Sequence, residues 1–261
     1  MAASVAAVPF ELSTQDAVVW LQSLPAASVD LVVTDPAYES LEKHRAIGTT
    51  TRLKHSKASS NDWFTIFPNA RFGELFREVY RVLRPDTHFY LFCDAETMFV
   101  AKPEAEQAGF RFWKPLVWDK CTIGMGYHYR ARYELILFFE KGKRRLNDLG
   151  IADVIAIPRI RGGYPAEKPV DVSEILVTQS SSPGDVIADP FMGLGSVGIA
   201  ARRHGCRFLG NDLNPQAVAI AAHRLREFGE GRVPEGLPPD APPEQFDLLE
   251  EVRLKPDPTY S

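Results

Sequence analysis

The stretch GDVIADPFMGLGSVGIAA, residues 184–201, limits the possible folds more than any other part of this 261-residue chain. A short apolar run, DVIAD, breaks at a proline and two glycines, then resumes as GSVGIAARRHG, whose composition and spacing predict a helix. Gly193 and Gly195 let the backbone turn tightly and approach a ligand closely. A helix starting near Ser196 would turn its N-terminus toward an anionic group. Roughly 20 residues further on, the apolar run RFLGND ends at Asp212, where an acid can accept both hydroxyls of a ribose. Strand, glycine turn, helix, strand and acid together form the layout of a nucleoside-cofactor site. The pattern alone does not separate a nicotinamide cofactor from S-adenosylmethionine.

The rest of the chain repeats this alternation. VPFELS and VDLVVTD are strands on either side of a short helix, DAVVWLQSL. In ARFGELFREVYRVLRP, Phe72, Leu75, Phe76, Val79, Val82 and Leu83 fall on one helical face, and Pro85 ends the helix. THFYLFCD is a buried strand. AETMFVAKPEAEQAG is a helix in which Pro103 is a kink or break, closed by Gly109. FRFWKPLVWDK and RYELILFFEKG are long aromatic strands expected to pair antiparallel; VSEILVTQS and PQAVAIAAHRLREFG are helices, the second with Pro215 in its first turn. Strands separated by helices specify an α/β fold with a doubly wound, mostly parallel sheet and one antiparallel hairpin. Residues 1–228 are expected to form one domain, and 229–261, rich in proline and acid, a loosely ordered tail.

Charge and cysteines narrow the function classes. The net charge of −4 is uneven: residues 229–261 carry Arg232, Arg253 and Lys255 against eight acids, which leaves the rest of the chain near +1. KHRAIGTTTRLKHSK (43–57) and KGKRR (141–145), with Arg159 and Arg161, are basic regions able to meet phosphates or simply to be solvated. Cys93, Cys121 and Cys206 lie far apart, without CxxC spacing, which fits neither a disulfide framework nor a zinc site and suits a reducing cytoplasm. No apolar run approaches the ~20 residues that cross a bilayer, so no membrane partner is expected, and no metal cluster is visible.

A second stretch, VDLVVTDPAYES (29–40), delivers Asp35, Pro36 and Tyr38 together at the carboxyl end of a core strand. In open α/β sheets, ligands bind at that end, although an Asp-Pro turn is also an ordinary way to leave a strand. TDPAY resembles the catalytic (D/N/S)PP(Y/F/W) tetrad of amino-group DNA methyltransferases, and DPFMGLGS resembles their DPFxGSG cofactor motif. GNDLNP is similar to their GxExNP segment, YPAEKP (164–169) to HPxxKP, REVYRVLRPDTHFYLF to the RVLKPGG helix and strand, and YELILFFEKG to hExilxfxKG. The tetrad comes first and the cofactor turn last, as in the permuted β group of these enzymes. The resemblance covers about residues 8–228.

The resemblance implies a Rossmann-like, S-adenosylmethionine-dependent enzyme that methylates an exocyclic amino group in double-stranded DNA. It implies a catalytic half at about 29–145 and a cofactor half at about 164–228 plus 8–24, with the N-terminal strand completing the cofactor lobe. Asp35, Pro36 and Tyr38 take the catalytic positions. Asp16, Lys168, Asp189, Phe191, Gly193, Gly195, Ser196, Asp212 and Asn214 take the cofactor positions. Trp63 is expected to wall the base pocket, and Arg130 and Arg132 to reach phosphates. An aspartate-led tetrad favours adenine N6, with cytosine N4 as the alternative, and a protein or RNA amine as a third. Two further partners belong to the same expectation: a cognate restriction enzyme, and a second copy of the chain that would let a small enzyme span more DNA. The chain departs from the pattern at Ala37, where a second proline is usual, and at Leu194 and Val197, which replace polar residues of the glycine turn. Only about 20 residues separate FFEKG from YPAEKP, where relatives often carry a target-recognition segment.

Overall fold

A computed structural model describes residues 9–40, 65–124, 129–160 and 167–229. Eight strands form one sheet in the order β1-β8-β7-β2-β3-β5-β4-β6. They are β1 (Phe10–Ser13), β2 (Val29–Thr34), β3 (Leu83–Cys93), β4 (Arg111–Asp119), β5 (Tyr133–Lys141), β6 (Val154–Ala156), β7 (Val186–Asp189) and β8 (Arg207–Asn211). The helices described are α1 (Ala17–Ser23), α2 (Phe72–Val82), α3 (Ala95–Gln107), α4 (Val170–Ser180), α5 (Ser196–Arg203) and α6 (Pro215–Gly229). Strands β1, β8, β7, β2 and β3 run parallel, and β5 is antiparallel to both β3 and β4. This is the doubly wound, mostly parallel sheet with an antiparallel hairpin that the sequence specifies. The N-terminal strand does pair with β8, Phe10 opposite Phe208 and Ser13 opposite Asn211.

The sheet is apolar on both faces because helices cover both. All six residues of β2 are buried, the composition of a central parallel strand. One face packs Leu31, Val33, Tyr90 and Ile187 against α4 and α5 residues such as Leu176 and Ile199. The other packs Val32, Phe89, Leu91 and Phe139 against Phe72, Leu75, Phe76 and Val79 of α2. Those four and Val82 are five of the six residues predicted for the helical face; the sixth, Leu83, begins β3.

Three local expectations differ from the structure. Pro85 does not end α2: the helix stops at Val82, Leu83 is already extended (φ −65°, ψ 138°), and Pro85 lies inside β3. Pro103 does not break α3, which runs through it to Gln107. Its ring is exposed, and Phe99, whose carbonyl loses its donor, is 74% exposed, so water can take the donor's place. Strand β6 is unanticipated. It is a three-residue edge strand beside β4 with only Ile155 buried, too short to show a period. No described helix is long and apolar enough to cross a membrane. The tail from residue 230 and the basic loop 43–57 lie outside the described residues.

Candidate active site

Adjacent strands β2 and β7 end side by side, and the turns that leave them build the site. Register pairs Leu31 with Ile187 and Val32 with Ala188, so Thr34 and Asp189 emerge together at the carboxyl edge. The Thr34 hydroxyl donates to Asp189 Oδ1 at 2.7 Å, tying the two strand ends. Asp189 also accepts from the Phe191 backbone N–H at 3.0 Å, which fixes the exit into the glycine turn.

That turn has the conformation the glycines allow. Gly193 has φ +49° and Gly195 φ +76°, left-handed values that a side chain would disfavour. A Cβ on Gly193 would meet nothing within 4 Å, so this side of the turn is open. Gly195 caps α5, and a Cβ there would stand 3.1 Å from that of Ala221 on α6. Its lack of a side chain therefore serves packing as well as the turn. Ser196, nearly buried, donates its hydroxyl to the Lys168 carbonyl at 2.8 Å.

Asp212, just beyond β8, accepts from the backbone N–H groups of Gly193 (2.9 Å) and Asn214 (2.9 Å). Its carboxylate is thus aimed at the glycine turn with acceptor capacity to spare; burial raises its pKa. Asn214 precedes α6 and accepts from Gln216 N–H at 2.9 Å. On the neighbouring strand end, Asp16 caps α1 by accepting from Val18 and Val19. It is also held by both terminal nitrogens of Arg71, at 2.7 and 2.9 Å, and this pairing holds its carboxyl below the usual range. Arg71 lies 5.3 Å from the centre of the Phe67 ring, which meets Phe191 edge-on at 5.1 Å. Asp16, Arg71, Phe67 and Phe191 thus form a connected group. Arg71 and Phe67 were not anticipated from the sequence.

The Lys168 ammonium contacts Asp35 Oδ2 at 2.6 Å and Glu134 Oε2 at 2.9 Å. Lys120 in turn pairs with Glu134 Oε1. Burial favours the neutral carboxyl of Asp35 and raises its pKa, and Lys168 opposes this. Burial would also raise Glu134, but Lys168 and Lys120 outweigh it and hold the carboxyl down to about 2. Glu134 and Lys120 are the functional candidates that sequence reasoning passed over. An acid directly before the apolar run LILFF of β5 was the available signal.

Pro36 is buried, and Tyr38 is 8% exposed. Phe67 N–H donates to the Ala37 carbonyl at 2.7 Å, pinning the tetrad to the loop before α2. The Tyr38 ring joins the cluster of Phe67, Phe72 and Cys93. Burial raises its hydroxyl pKa, so it stays neutral. Arg132 is exposed and paired through two bonds of 2.7 Å with Asp119. Arg130, also exposed, donates to the Gly124 carbonyl at 2.7 Å. Trp63 lies outside the described residues.

Burial raises the Asp189 carboxyl to about 8, so it is mostly protonated at neutral pH. A carboxyl whose folded value lies above its unfolded one, ordinarily 3.8, stabilises the fold less as pH rises, and the loss is complete above the folded value. Asp189→Asn keeps the acceptor and removes the titration. Its thermal midpoint is expected to fall less than the wild type's between about pH 5 and about pH 9. Parallel curves for the two proteins would show that Asp189 does not titrate in this way.

Comparison with known proteins bears on what this site does. A profile of the N6/N4 DNA methylase family matches residues 29–156 and 151–223. DNA adenine methyltransferase YhdJ of Escherichia coli (strain K12) is 24% identical over 249 residues, covering 80% of this chain and 80% of that one. The crystal structure of TTHA0409 from Thermus thermophilus, complexed with S-adenosyl-L-methionine, superposes with a TM-score of 0.65 at 25% identity, covering 87% of this chain and 99% of that one. The PvuII cytosine-N4-specific DNA methyltransferase shares the fold at a TM-score of 0.68 and 15% identity, over 91% of this chain and 90% of that one.

Proposed function

The chain belongs to the N6/N4 DNA methylase family, and from that footing we propose that it methylates the N6 amino group of adenine in duplex DNA. The observation that supports the reading is the Thr34–Asp189 bond, which ties the ends of β2 and β7, so that Asp35 and the glycine turn leave the same edge of the sheet. The reading assigns amine acceptance to the first and nucleoside binding to the second. The adenine assignment rests on the aspartate that leads the tetrad and on the adenine activity in the name of the Escherichia coli relative.

The residues around the turn fit S-adenosylmethionine. Gly193 leaves its side open, Asp212 presents a fixed carboxylate to a ribose, and Phe191 offers a partly exposed ring. Asp16, the cap of α1, adds a carboxylate shared with Arg71. When bound, the cofactor supplies an electrophilic methyl group on a sulfonium.

The remaining chemistry belongs to the chain. An adenine amino group is a weak nucleophile because its lone pair is delocalised into the ring. Asp35 and the Pro36 carbonyl accept its two hydrogens and turn the lone pair out of the ring plane. Positive charge grows on nitrogen as the new bond forms, so a fixed carboxylate stabilises the transition state more than the ground state. Asp35 then takes the proton that the methylated nitrogen sheds. A base reaches this pocket only after flipping out of the duplex, at a cost of a few kcal/mol, and Tyr38 provides an aromatic wall beside it. Arg130 and Arg132 sit on the exposed segment before β5, where phosphate contact is open to them.

The test incubates the protein with labelled S-adenosylmethionine and unmethylated duplex DNA of varied sequence, then digests the DNA and identifies the labelled nucleoside. N6-methyladenine is the expected product. N4-methylcytosine would refute the adenine assignment and keep the mechanism. Labelled RNA or protein with unlabelled DNA would overturn the DNA reading.

A further inference from the structure

The contacts around Asp35 continue beyond Lys168 in an alternating chain of charge. Asp35 is 27% exposed at the mouth of the site. Behind it are Lys168 (15% exposed), Glu134 (18%) and Lys120 (24%). Rings line this chain: the Lys168 ammonium lies 5.4 Å from the centre of Phe92 and 5.8 Å from Trp118, and that of Lys120 lies 5.2 Å from Trp118. Trp118 is opposite Glu134 in the β4–β5 register, so the two strands carry both sides of the arrangement.

We propose that Glu134 is a positioning residue for methyl transfer: it holds Lys168 against Asp35 and restores the negative charge that Lys168 would otherwise cancel. This rests on the methyltransferase reading of the same site. Asp35 and Lys168 alone would sum to zero. Such a neutral pair would offer little to a transition state in which positive charge passes from a sulfonium to the amine nitrogen. With Glu134 the three groups sum to −1, buried where charge counts most. Lys120 pairs with Glu134 rather than with Asp35, so its charge acts on Asp35 from one contact further away and more weakly than that of Lys168. Lys168 meets Asp35 at Oδ2.

The other groups near Asp35 do not supply that charge. Burial raises Tyr38 and Cys93, which stay neutral. Asp189 on β7 is mostly protonated at neutral pH, and the charge of Asp94, which accepts from Thr97 at the start of α3, is partly offset there by the helix N-terminus.

The two neighbours of Asp35 act on it with opposite sign, which separates this role from a structural one. The Glu134 charge raises the Asp35 pKa and the Lys168 charge lowers it. Catalysis needs ionised Asp35, so the acid limb of the pH–rate profile follows that pKa. In Glu134→Gln the single-turnover rate on the plateau is expected to fall about 10- to 100-fold, the scale of losing a correctly held geometry. KM for DNA should stay within a few-fold, and the acid limb should move to lower pH. In Lys168→Met the limb should move to higher pH. Glu134→Asp should return the limb toward the wild-type position.

The Asp35 carboxyl carbon, followed by NMR in labelled protein without DNA or cofactor, should titrate with the same signs. An acid limb that stays put in Glu134→Gln, or that moves the same way in both variants, overturns the proposal. If the wild type methylates nothing, the functional reading fails. The NMR titration then still decides whether Glu134 governs the charge state of Asp35.

Discussion

Asp35→Ala is expected to lower the single-turnover rate of methyl transfer about 10³-fold or more, in a protein that folds and binds S-adenosylmethionine as before. Two contributions disappear together. One is the fixed charge facing the developing cation, where a single preorganised group is typically worth about 10²–10³-fold. The other is the acceptor for the departing proton, worth about 10²–10⁴-fold where measured. Their losses overlap because one carboxylate does both. The fold should survive because the ion pair that Asp35 gives up is with Lys168, and Lys168 still has Glu134. Cofactor affinity, measured by calorimetry, should change little, since Asp212 and the glycine turn are untouched. Asp35→Asn separates shape from charge, and a rate close to that of Asp35→Ala would assign the effect to charge. A rate for Asp35→Ala within about tenfold of wild type would be too fast for a residue with both roles.

The second large effect concerns stability. Arg224 on α6 and Glu167 form an ion pair of 2.8 Å with side chains 5% and 3% exposed. Arg224 also donates to the Leu194 carbonyl in the glycine turn at 2.7 Å. Removing one member of such a pair leaves the other charge buried without compensation, a loss of about 3–5 kcal/mol. Arg224→Met is therefore expected to remove a large share of the ~5–15 kcal/mol that a domain has to lose. It should also weaken cofactor binding, because the pair links the turn to the segment that carries Lys168. The double variant Glu167→Gln/Arg224→Met removes both charges and should recover most of the stability in urea unfolding. A single variant that loses less than about 1 kcal/mol, or a double no better than the single, would show that the pair is not compensated as the geometry indicates.

The fold was largely legible because its signals are local. The strand–turn–helix at 184–201, the amphipathic face of α2 and each of the aromatic strands β4 and β5 declare themselves within about 18 residues, the span over which periodicity is read. The polar wiring of the site was not legible. Lys168 meets Asp35 and Glu134, and Arg71 meets Asp16, across separations that no period in the chain encodes. Lys168 sits in a segment whose resemblance points to the cofactor, and only the folded arrangement turns its side chain to Asp35. Pro85 misled for another reason. Proline ends helices by rule, but α2 had already ended at Val82, and the ring sits near the start of β3, which tolerates it.

The pairing of β1 with β8 has a consequence for how the protein is made. Strand β1 leaves the ribosome before every other described strand, yet its partner, Arg207–Asn211, emerges almost two hundred residues later. Until then the Ser13 carbonyl lacks the N–H that Asp212 donates to it, and this edge of β1 stays unpaired. Contacts of such sequence separation form late and slowly, and domains take shape as synthesis proceeds. A nascent chain can therefore assemble α2, β3 and the Asp35 strand well before it has a complete nucleoside pocket. The β1–β8 edge is thus among the last parts of the sheet that synthesis can complete.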